Sequence, residues 1–188
     1  MLPTTITSAR ERILAAADEL FYRQGVHPTG VDTIIDAAGV AKASFYRHFP
    51  SKDDLVTAWL ERRSDEWYAW FDSAVSRRAR DPRRRLLAAF DALGEWFGQA
   101  DFTGCAFINT SVEIRDNAQQ AKDVALCHMI GVRRWFEATA SEAGLPEPTD
   151  VANSLFLLVQ GAAVARTTGT VAHPARAAKR AAAAVIGG

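Results

Sequence analysis

The stretch from Thr29 to Lys52 constrains the fold more than any other part of the chain. Its first half places apolar residues at helical spacing and ends at Gly39, where a helix that closes in the left-handed conformation favours glycine. A second short helix is predicted to start near Lys42, with Phe45 turned inwards. Two short helices joined by a tight glycine turn are typical of a helix-turn-helix, which lays its second helix in the major groove of DNA.

Capping patterns predict where several helices begin. A capping box pairs a side chain at the helix start with one three residues later, so that each accepts a hydrogen bond from a backbone N–H of the other. The pairs spaced in this way are Ser8 with Glu11, Thr29 with Asp32, and Ser51 with Asp54. The second short helix has Ala41 in front of it and is therefore expected to lack a side-chain cap.

The charge of the whole chain gives no argument for nucleic-acid binding, because 22 basic residues balance 22 acidic ones. The local placement of charge does give such an argument, because the charged residues between Ala37 and Lys52 are all cations. Lys42, Ser44 and Arg47 are the candidates to reach base edges. Lys and Arg donate to guanine, and Ser serves either type of base. The alternative is a set of polar residues that are merely exposed.

Residues Ile13 to Leu55 resemble the N-terminal DNA-binding domain of TetR-type transcriptional repressors. The positions that carry the resemblance are Thr29, Val31, Ile34, Ala37-Ala38-Gly39-Val40, Lys42, Ser44, Tyr46, His48-Phe49, Ser51-Lys52 and Leu55. The phosphate contacts that the resemblance implies are Thr33, Tyr46, His48 and Lys52. An aromatic residue at position 46 would also suit the core. Ala41 and Ala43 depart from the usual Ser and the frequent Gly of the family, so the base preference is expected to differ from that of relatives.

The resemblance implies a ligand-responsive repressor that binds a palindromic operator as a homodimer and is released by a small, apolar or aromatic effector. It divides the chain into a DNA-binding domain, 1–52, and an effector-binding and dimerisation domain, 53–188. A two-fold dimer is expected for a second reason, because one helix-turn-helix reads few bases. Paired reading helices lie about 34 Å apart on successive grooves.

Helical spacing of apolar residues continues to the end of the chain and predicts an all-α fold of about nine helices, with no convincing strand. A long helix is expected from Lys52 to about Arg80, as the link between the DNA-reading part and the rest. The basic run from Arg77 to Arg85 is interpreted as a solvated helix junction in preference to a second DNA contact. The later helices are predicted at about 82–98, from about 105, and at about 117–143, 150–168 and 173–186.

The last two predicted helices, about 150–168 and 173–186, are the expected dimer interface. Their small residues allow close helix approach, and two such helices from each subunit would form a four-helix bundle. The alternative is an intramolecular core, because cores and obligate interfaces share this composition. The small residues concerned are Gly161, Ala162, Ala163, Ala165, Ala175, Ala177, Ala178 and Ala181 to Ala184.

Aromatic residues are dense in the predicted middle helices, with a few polar side chains among them. Small-molecule sites are usually apolar cavities with sparse polar groups, although most helical aromatics are simply core. His128 by itself is expected to be a partly exposed helix residue. The candidates for an effector pocket are Trp59, Trp67, Trp70, Trp96, Phe107, Asn109, Glu113, Trp135, Phe156 and Gln160.

Cys105 and Cys127 are too few for a disulfide framework, and no spacing of Cys and His predicts a zinc site. Cys105 stands near a predicted helix start, where the helix dipole favours a reactive thiolate. Residues 104–109 with Glu113 also resemble a segment of a subset of TetR-type proteins. A repressor that senses oxidants or electrophiles through Cys105 is therefore one alternative, and a packed, inert thiol is the other.

Two further classes of function are weighed. A helical-bundle enzyme lacks its usual motifs, since the chain has no Glu-x-x-His pair, no Gly-x-Ser-x-Gly elbow and no phosphate-binding loop; we expect no catalytic residue, no metal and no cofactor. An architectural DNA-binding protein would need no effector. No apolar run is long enough to cross a bilayer and no secretion leader is evident, so a cytoplasmic location is expected.

Overall fold

The computed structural model describes residues 8–114 and 118–187 of the chain. Within them the protein forms nine α-helices and no strand, which confirms the predicted all-α class. Asn117, the predicted start of the seventh helix, lies outside the described residues. The helices are α1 Ala9–Gln24, α2 Val31–Ala38, α3 Lys42–His48, α4 Lys52–Ser76, α5 Pro82–Phe97, α6 Ala106–Glu113, α7 Gln119–Glu142, α8 Pro148–Thr168 and α9 Pro174–Gly187.

Two helix ends differ from the prediction. α4 ends at Ser76 instead of near Arg80, and α5 follows after Asp81, which is extended ahead of Pro82 and caps α5. α8 begins at Pro148, two residues before the predicted start, because proline suits the first turn of a helix.

The structure divides into two compact units. The first unit consists of the described residues of Met1–Ser64 and Ala106–Leu126, and the second unit of Asp65–Cys105 with the described residues of Cys127–Gly188. The division falls inside α4 and inside α7. Each unit has a core of its own.

The first unit contains the two short helices and the core beneath them. α1 begins with the predicted capping box, in which Ser8 Oγ accepts from Glu11 N–H at 3.1 Å. The predicted box at the start of α4 also forms, with Asp54 N–H donating to Ser51 Oγ at 3.1 Å. The buried apolar side chains of α1 to α3 and the start of α4 include Ile13, Leu14, Ala17, Phe21, Ile34, Phe45, Phe49, Leu55, Val56, Trp59 and Leu60.

In the second unit, α9 packs against α8 and α5. The packing is close, since a Cβ on Gly94 of α5 would lie 3.5 Å from the Cβ of Ala175 on α9. Some of the small residues expected at a dimer interface therefore belong to the core of a single subunit, namely Ala162, Ala163, Ala175, Ala178 and Ala182. Others are exposed, namely Gly161, Ala181, Ala183 and Ala184.

Candidate nucleic-acid interface and effector site

The start of α2 corrects one predicted cap. Gly30 is the N-cap residue of α2 and no side chain caps it, so Thr29 and Asp32 form no capping box. Thr29 is buried, and its hydroxyl donates to the carbonyl of Gly25 at 2.7 Å. This hydrogen bond joins two residues within the connection between α1 and α2. Asp32 lies on the exposed side of α2.

The turn between α2 and α3 forms as predicted. Gly39 is in the left-handed conformation, with φ of 61°. Its N–H donates to the carbonyl of Asp36 at 3.2 Å, and the N–H of Val40 donates to that of Ile35 at 3.3 Å. Arg12 of α1 adds a bond from Nη1 to the carbonyl of Gly39 at 3.1 Å. The turn therefore fixes the start of α3, where Ala41 supplies no side-chain cap.

α3 has one buried face and one exposed face. Phe45 is completely buried, and Phe49 directly after the helix is almost completely buried. On the opposite face Lys42 and Arg47 are exposed, as is Tyr46 at 45%. The structure thus places Tyr46 outside the core. Ser44 and His48 are half-buried at the edges of the exposed face, and Thr33 of α2 is exposed.

Two polar contacts hold the cations of α3. Lys42 Nζ donates to Asp32 Oδ1 at 2.9 Å, between two exposed side chains. The hydrogen bond to Asp32, and then its charge, raise the pKa of Lys42 above the ordinary value. Arg47 Nη2 donates to Ser44 Oγ at 3.4 Å. Exposed ion pairs of this kind are weak, so breaking the contact between Lys42 and Asp32 costs little free energy.

Lys52 and Glu113 meet the backbone between α1 and α2. Lys52 is half-buried, and its Nζ donates to the carbonyl of His27 at 3.4 Å. Glu113 Oε2 accepts from the N–H groups of Val26 at 2.7 Å and His27 at 3.0 Å. Glu113 therefore binds the backbone of the first unit, and its place in an effector pocket stays a prediction.

Trp59, another predicted pocket residue, also belongs to the first unit. It is only 2% exposed, and its indole N–H donates to Asp18 Oδ1 at 2.7 Å. Its ring lies 5.2 Å from that of Phe21, edge to face. Trp59 is thus a core residue of the first unit. Phe107, which is buried, and Asn109, which is half-buried, belong to the same unit.

The other predicted pocket residues belong to the second unit, where the tryptophans form one cluster. Trp67 stacks on Phe71 with ring centroids 4.6 Å apart, and Trp70 and Trp96 each lie 6.1 Å from Trp67. Trp135 contacts Phe71 at 5.0 Å. Among the described residues, the Nε1 atom of Trp67 is buried and has no hydrogen-bond partner.

Phe156 and Gln160 of α8 have no described ring or polar contact with that cluster. Phe156 is half-buried, and Gln160 Nε2 points to Met129 Sδ at 3.4 Å. A cavity of about 240 Å³ does lie in the second unit between α5 and α9, but none of the predicted pocket residues lines it. Its lining includes Phe97, Arg166 and His173.

His128 is buried in this cluster, contrary to the expected partial exposure. It is 5% exposed, and its ring lies 5.0 Å from those of Trp67 and Tyr68. Burial lowers the pKa of His128 to about 3. Tyr68 donates to the carbonyl of His128 at 2.8 Å, and burial raises the pKa of Tyr68 to about 12.

The buried imidazole predicts a specific pH dependence of stability. Because the pKa of His128 is about 3 in the folded protein and about 6.5 when unfolded, only the unfolded chain binds the proton between these values. Stability should therefore fall as the pH falls below about 6.5, by about 2 kcal/mol from pH 7 to pH 5. Urea unfolding at both pH values measures this loss. His128→Leu should abolish that part of the loss; an unchanged pH dependence would show that another group causes it.

Neither cysteine forms a disulfide, and Cys105 directly precedes α6. Cys105 is half-buried, whereas Cys127 is exposed. No group of His, Cys, Asp and Glu among the described residues is placed to hold a metal ion.

The comparisons with known proteins agree with this geometry. The family described as "Bacterial regulatory proteins, tetR family" matches residues 13–59. The probable HTH-type transcriptional regulator ArpR of Pseudomonas putida is 30% identical over 164 residues, which cover 81% of this chain and 77% of ArpR. The chain belongs to the TetR family. The predicted resemblance is confirmed.

Two further relatives of this TetR-family protein show how far the similarity extends. The TetR-family regulator SCO4454 of Streptomyces coelicolor has the same fold, with a TM-score of 0.86 and 26% identity over 95% of this chain and 94% of its own. The transcriptional activator FasR of Mycolicibacterium smegmatis is 42% identical over 83 residues. That match spans 44% of this chain and only 37% of FasR.

Membership of the TetR family makes the protein a DNA-binding transcriptional regulator, and the family is one of regulators rather than enzymes. None of the helices in residues 8–114 and 118–187 is long and apolar enough to span a membrane.

Two features of this TetR-family protein were not predicted from the sequence, the pairing of Asp32 with Lys42 and the binding of Glu113 to the α1–α2 connection. The positions of Asp32 and Lys42 on their helices were a weak indication of the ion pair. No local sequence pattern indicates the contact of Glu113.

Proposed function

We propose that the protein is a ligand-responsive transcriptional repressor that binds a palindromic operator as a homodimer. The observation that carries this proposal is the exposed face of α3, where Lys42, Tyr46 and Arg47 stand opposite the buried Phe45. Because the aromatic side chain of α3 is packed in the core, the helix holds its exposed polar side chains in a constant direction, as recognition of a DNA groove requires. We assign DNA binding to about residues 1–52, and effector binding and dimerisation to about 53–188.

The proposed DNA contacts are of two kinds, contacts to base edges and contacts to phosphates. Lys42, Ser44 and Arg47 are proposed to read base edges, because their donors suit the acceptors of guanine. Phosphate contacts set the register of the protein on the duplex without reading its sequence. We assign them to Thr33, Tyr46 and His48.

The dimer is proposed to form through α8 and α9. On α8, Leu157 is 69% exposed and Val164 is 48% exposed, with the exposed Gly161 between them. Positions spaced by four and three residues share one face of a helix, so these residues form an apolar stripe. A second copy of the chain covers this stripe by two-fold symmetry, and the glycine allows close approach of the paired helices.

The effector is proposed to bind beside the aromatic cluster of the second unit. A buried indole N–H without a partner costs free energy, which a ligand acceptor atom would recover. Trp67 therefore favours an apolar or aromatic molecule that carries a carbonyl, carboxylate or phenolic oxygen. Such a molecule shifts the protein away from the DNA-binding state only by its difference in affinity for the two states.

A thermal-shift screen followed by a binding assay tests the effector half of the proposal. An aromatic carboxylate or ketone that raises the melting temperature by several degrees should also release the operator fragment selected from genomic DNA. Trp67→Phe removes only the indole and its N–H and should weaken the ligand about tenfold. Val112→Ala, at an exposed position of α6 in the first unit, is the control and should bind normally. Equal affinity of wild type and Trp67→Phe would remove Trp67 from the site.

A further inference from the structure

The connection between α1 and α2 is held by charged side chains from two distant parts of the sequence. Glu113, the last residue of α6, accepts the N–H groups of both Val26 and His27, with Oε2 at 2.7 and 3.0 Å. Val26 and His27 lie between α1 and α2, so their N–H groups do not take part in helical hydrogen bonds, and the carboxylate supplies the acceptor for both. Hydrogen bonds from a backbone N–H to a carboxylate are among the stronger ones in proteins.

Gly25 is shaped for this contact. Its φ of 93° is a conformation that favours glycine, and a Cβ at this position would lie 2.9 Å from Glu113 Oε2. The carboxylate therefore approaches the backbone through the space that the missing side chain leaves. This close approach accounts for a glycine at the end of α1 beyond the general preference for glycine there.

Lys52 adds a third hydrogen bond to this connection. Its Nζ donates to the carbonyl of His27 at 3.4 Å, so opposite charges hold the N–H and the C=O of the same residue. Burial lowers the pKa of Lys52, while the negative charges of Asp53 and Glu113 act in the opposite direction. We call Glu113, Lys52 and the backbone of Val26 and His27 the loop clamp.

We infer that Glu113 and Lys52 are positioning residues for DNA binding, which act by fixing the α1–α2 connection through the loop clamp. α2 starts four residues after His27, and the tight turn at Gly39 makes the direction of α3 depend on that of α2. A loose connection would let the two short helices tilt and would move the base-reading side chains off their acceptors. The inference rests on the proposed operator binding, and it gives α6 a part in fixing the reading helices.

The inference gives Lys52 a different role from the phosphate contact that the family resemblance implies. A cation that contacts a phosphate releases counterions, so its loss makes the dependence of affinity on salt shallower by about one ion per site. A positioning residue has no such effect. Lys52→Met should therefore raise the operator Kd while the slope of log Kd against log salt stays that of the wild type. A slope reduced by about one per subunit would overturn the assignment of Lys52.

Glu113 is tested with Glu113→Ala and Glu113→Gln in the full-length protein. Glu113→Ala should raise the Kd for the operator fragment selected by the wild type about tenfold, and Glu113→Gln, which keeps one acceptor oxygen, by less. Hydrogen exchange of the Val26 and His27 amides should quicken about tenfold in Glu113→Ala without DNA. Glu19→Gln removes a carboxylate from the exposed side of α1 and should leave both measurements unchanged.

The outcomes separate the inference from the proposed function. If the wild type selects no operator, the proposed function fails, and amide exchange still tests the clamp. If the wild type selects one and folded Glu113→Ala binds it within twofold, Glu113 does not position the reading helices. Unchanged exchange at both amides would overturn the clamp itself. If Glu113→Ala does not fold, Glu113→Gln is compared with Glu19→Gln by the same criteria.

Discussion

Arg47→Ala should lower the affinity for the operator by about 2–6 kcal/mol and leave the affinity for random DNA of the same length almost unchanged. A bidentate contact of Arg with guanine contributes about 1–3 kcal/mol of discrimination, and a two-fold dimer makes each contact twice. Arg47 is suited to this role because it is exposed in the last turn of α3, and its one described hydrogen bond is a long one to Ser44.

Fluorescence anisotropy with operator and random duplexes at one salt concentration measures the effect. Arg23→Ala is a suitable control, because Arg23 is exposed in the last turn of α1 within the same unit. It should change both affinities slightly and equally. If Arg47→Ala weakened binding to both duplexes by the same factor, Arg47 would contact phosphates instead of bases.

Leu157→Glu should convert the dimer into monomers at micromolar concentration. Leu157 is the most exposed apolar residue of the α8 stripe, and two-fold symmetry brings the same surface of both subunits together. Each new carboxylate would be buried without a partner, which destabilises the interface by roughly 3–5 kcal/mol. Operator binding should be lost with the dimer, because a single reading helix makes half of the contacts.

Light scattering coupled to size-exclusion chromatography measures the mass of this variant. Leu126→Glu is the matched control, since Leu126 is 53% exposed and lies in α7, outside the proposed interface. It should remain dimeric and bind the operator. A dimeric Leu157→Glu would show that α8 is not the interface, and a monomeric wild type would show that no stable dimer exists without DNA.

The sequence predicts the local structure of the reading helices well, because the signals lie within a few residues of one another. The glycine turn at Gly39 and the capping boxes at Ser8 and Ser51 each depend on groups at most five residues apart. The capping box at Thr29 does not form because α2 begins one residue later, with Gly30 as its N-cap, and the Thr29 hydroxyl instead donates to the carbonyl of Gly25, four residues earlier. A pattern does not indicate which of two local hydrogen bonds forms.

Contacts between distant residues were not predictable in this way. Glu113 lies 87 residues from Val26, and the aromatic residues around it in the sequence suggested a pocket instead of a hydrogen bond to the backbone. The predicted exposure of His128 is wrong for a similar reason, since its burial depends on Trp67 and Tyr68 of another helix.

The small residues of α8 and α9 show that composition alone does not distinguish a dimer interface from the core of one subunit. Ala175, Ala178 and Ala182 pack inside one subunit, whereas Gly161 is exposed beside Leu157. Cores and interfaces are built from the same residue types, so only burial separates them. The exposed apolar stripe, and not the number of alanines, therefore supports the proposed dimer.

Two α3 helices held one turn of DNA apart are the central feature of the proposed mechanism, and the spacing of the operator tests it most directly. Five base pairs inserted between the half-sites rotate one of them by roughly half a turn. The affinity of the wild-type protein should then fall about a hundredfold or more, to that of a single half-site. An operator that binds equally well with and without the insertion would show that the subunits read DNA independently and would contradict the paired reading helices.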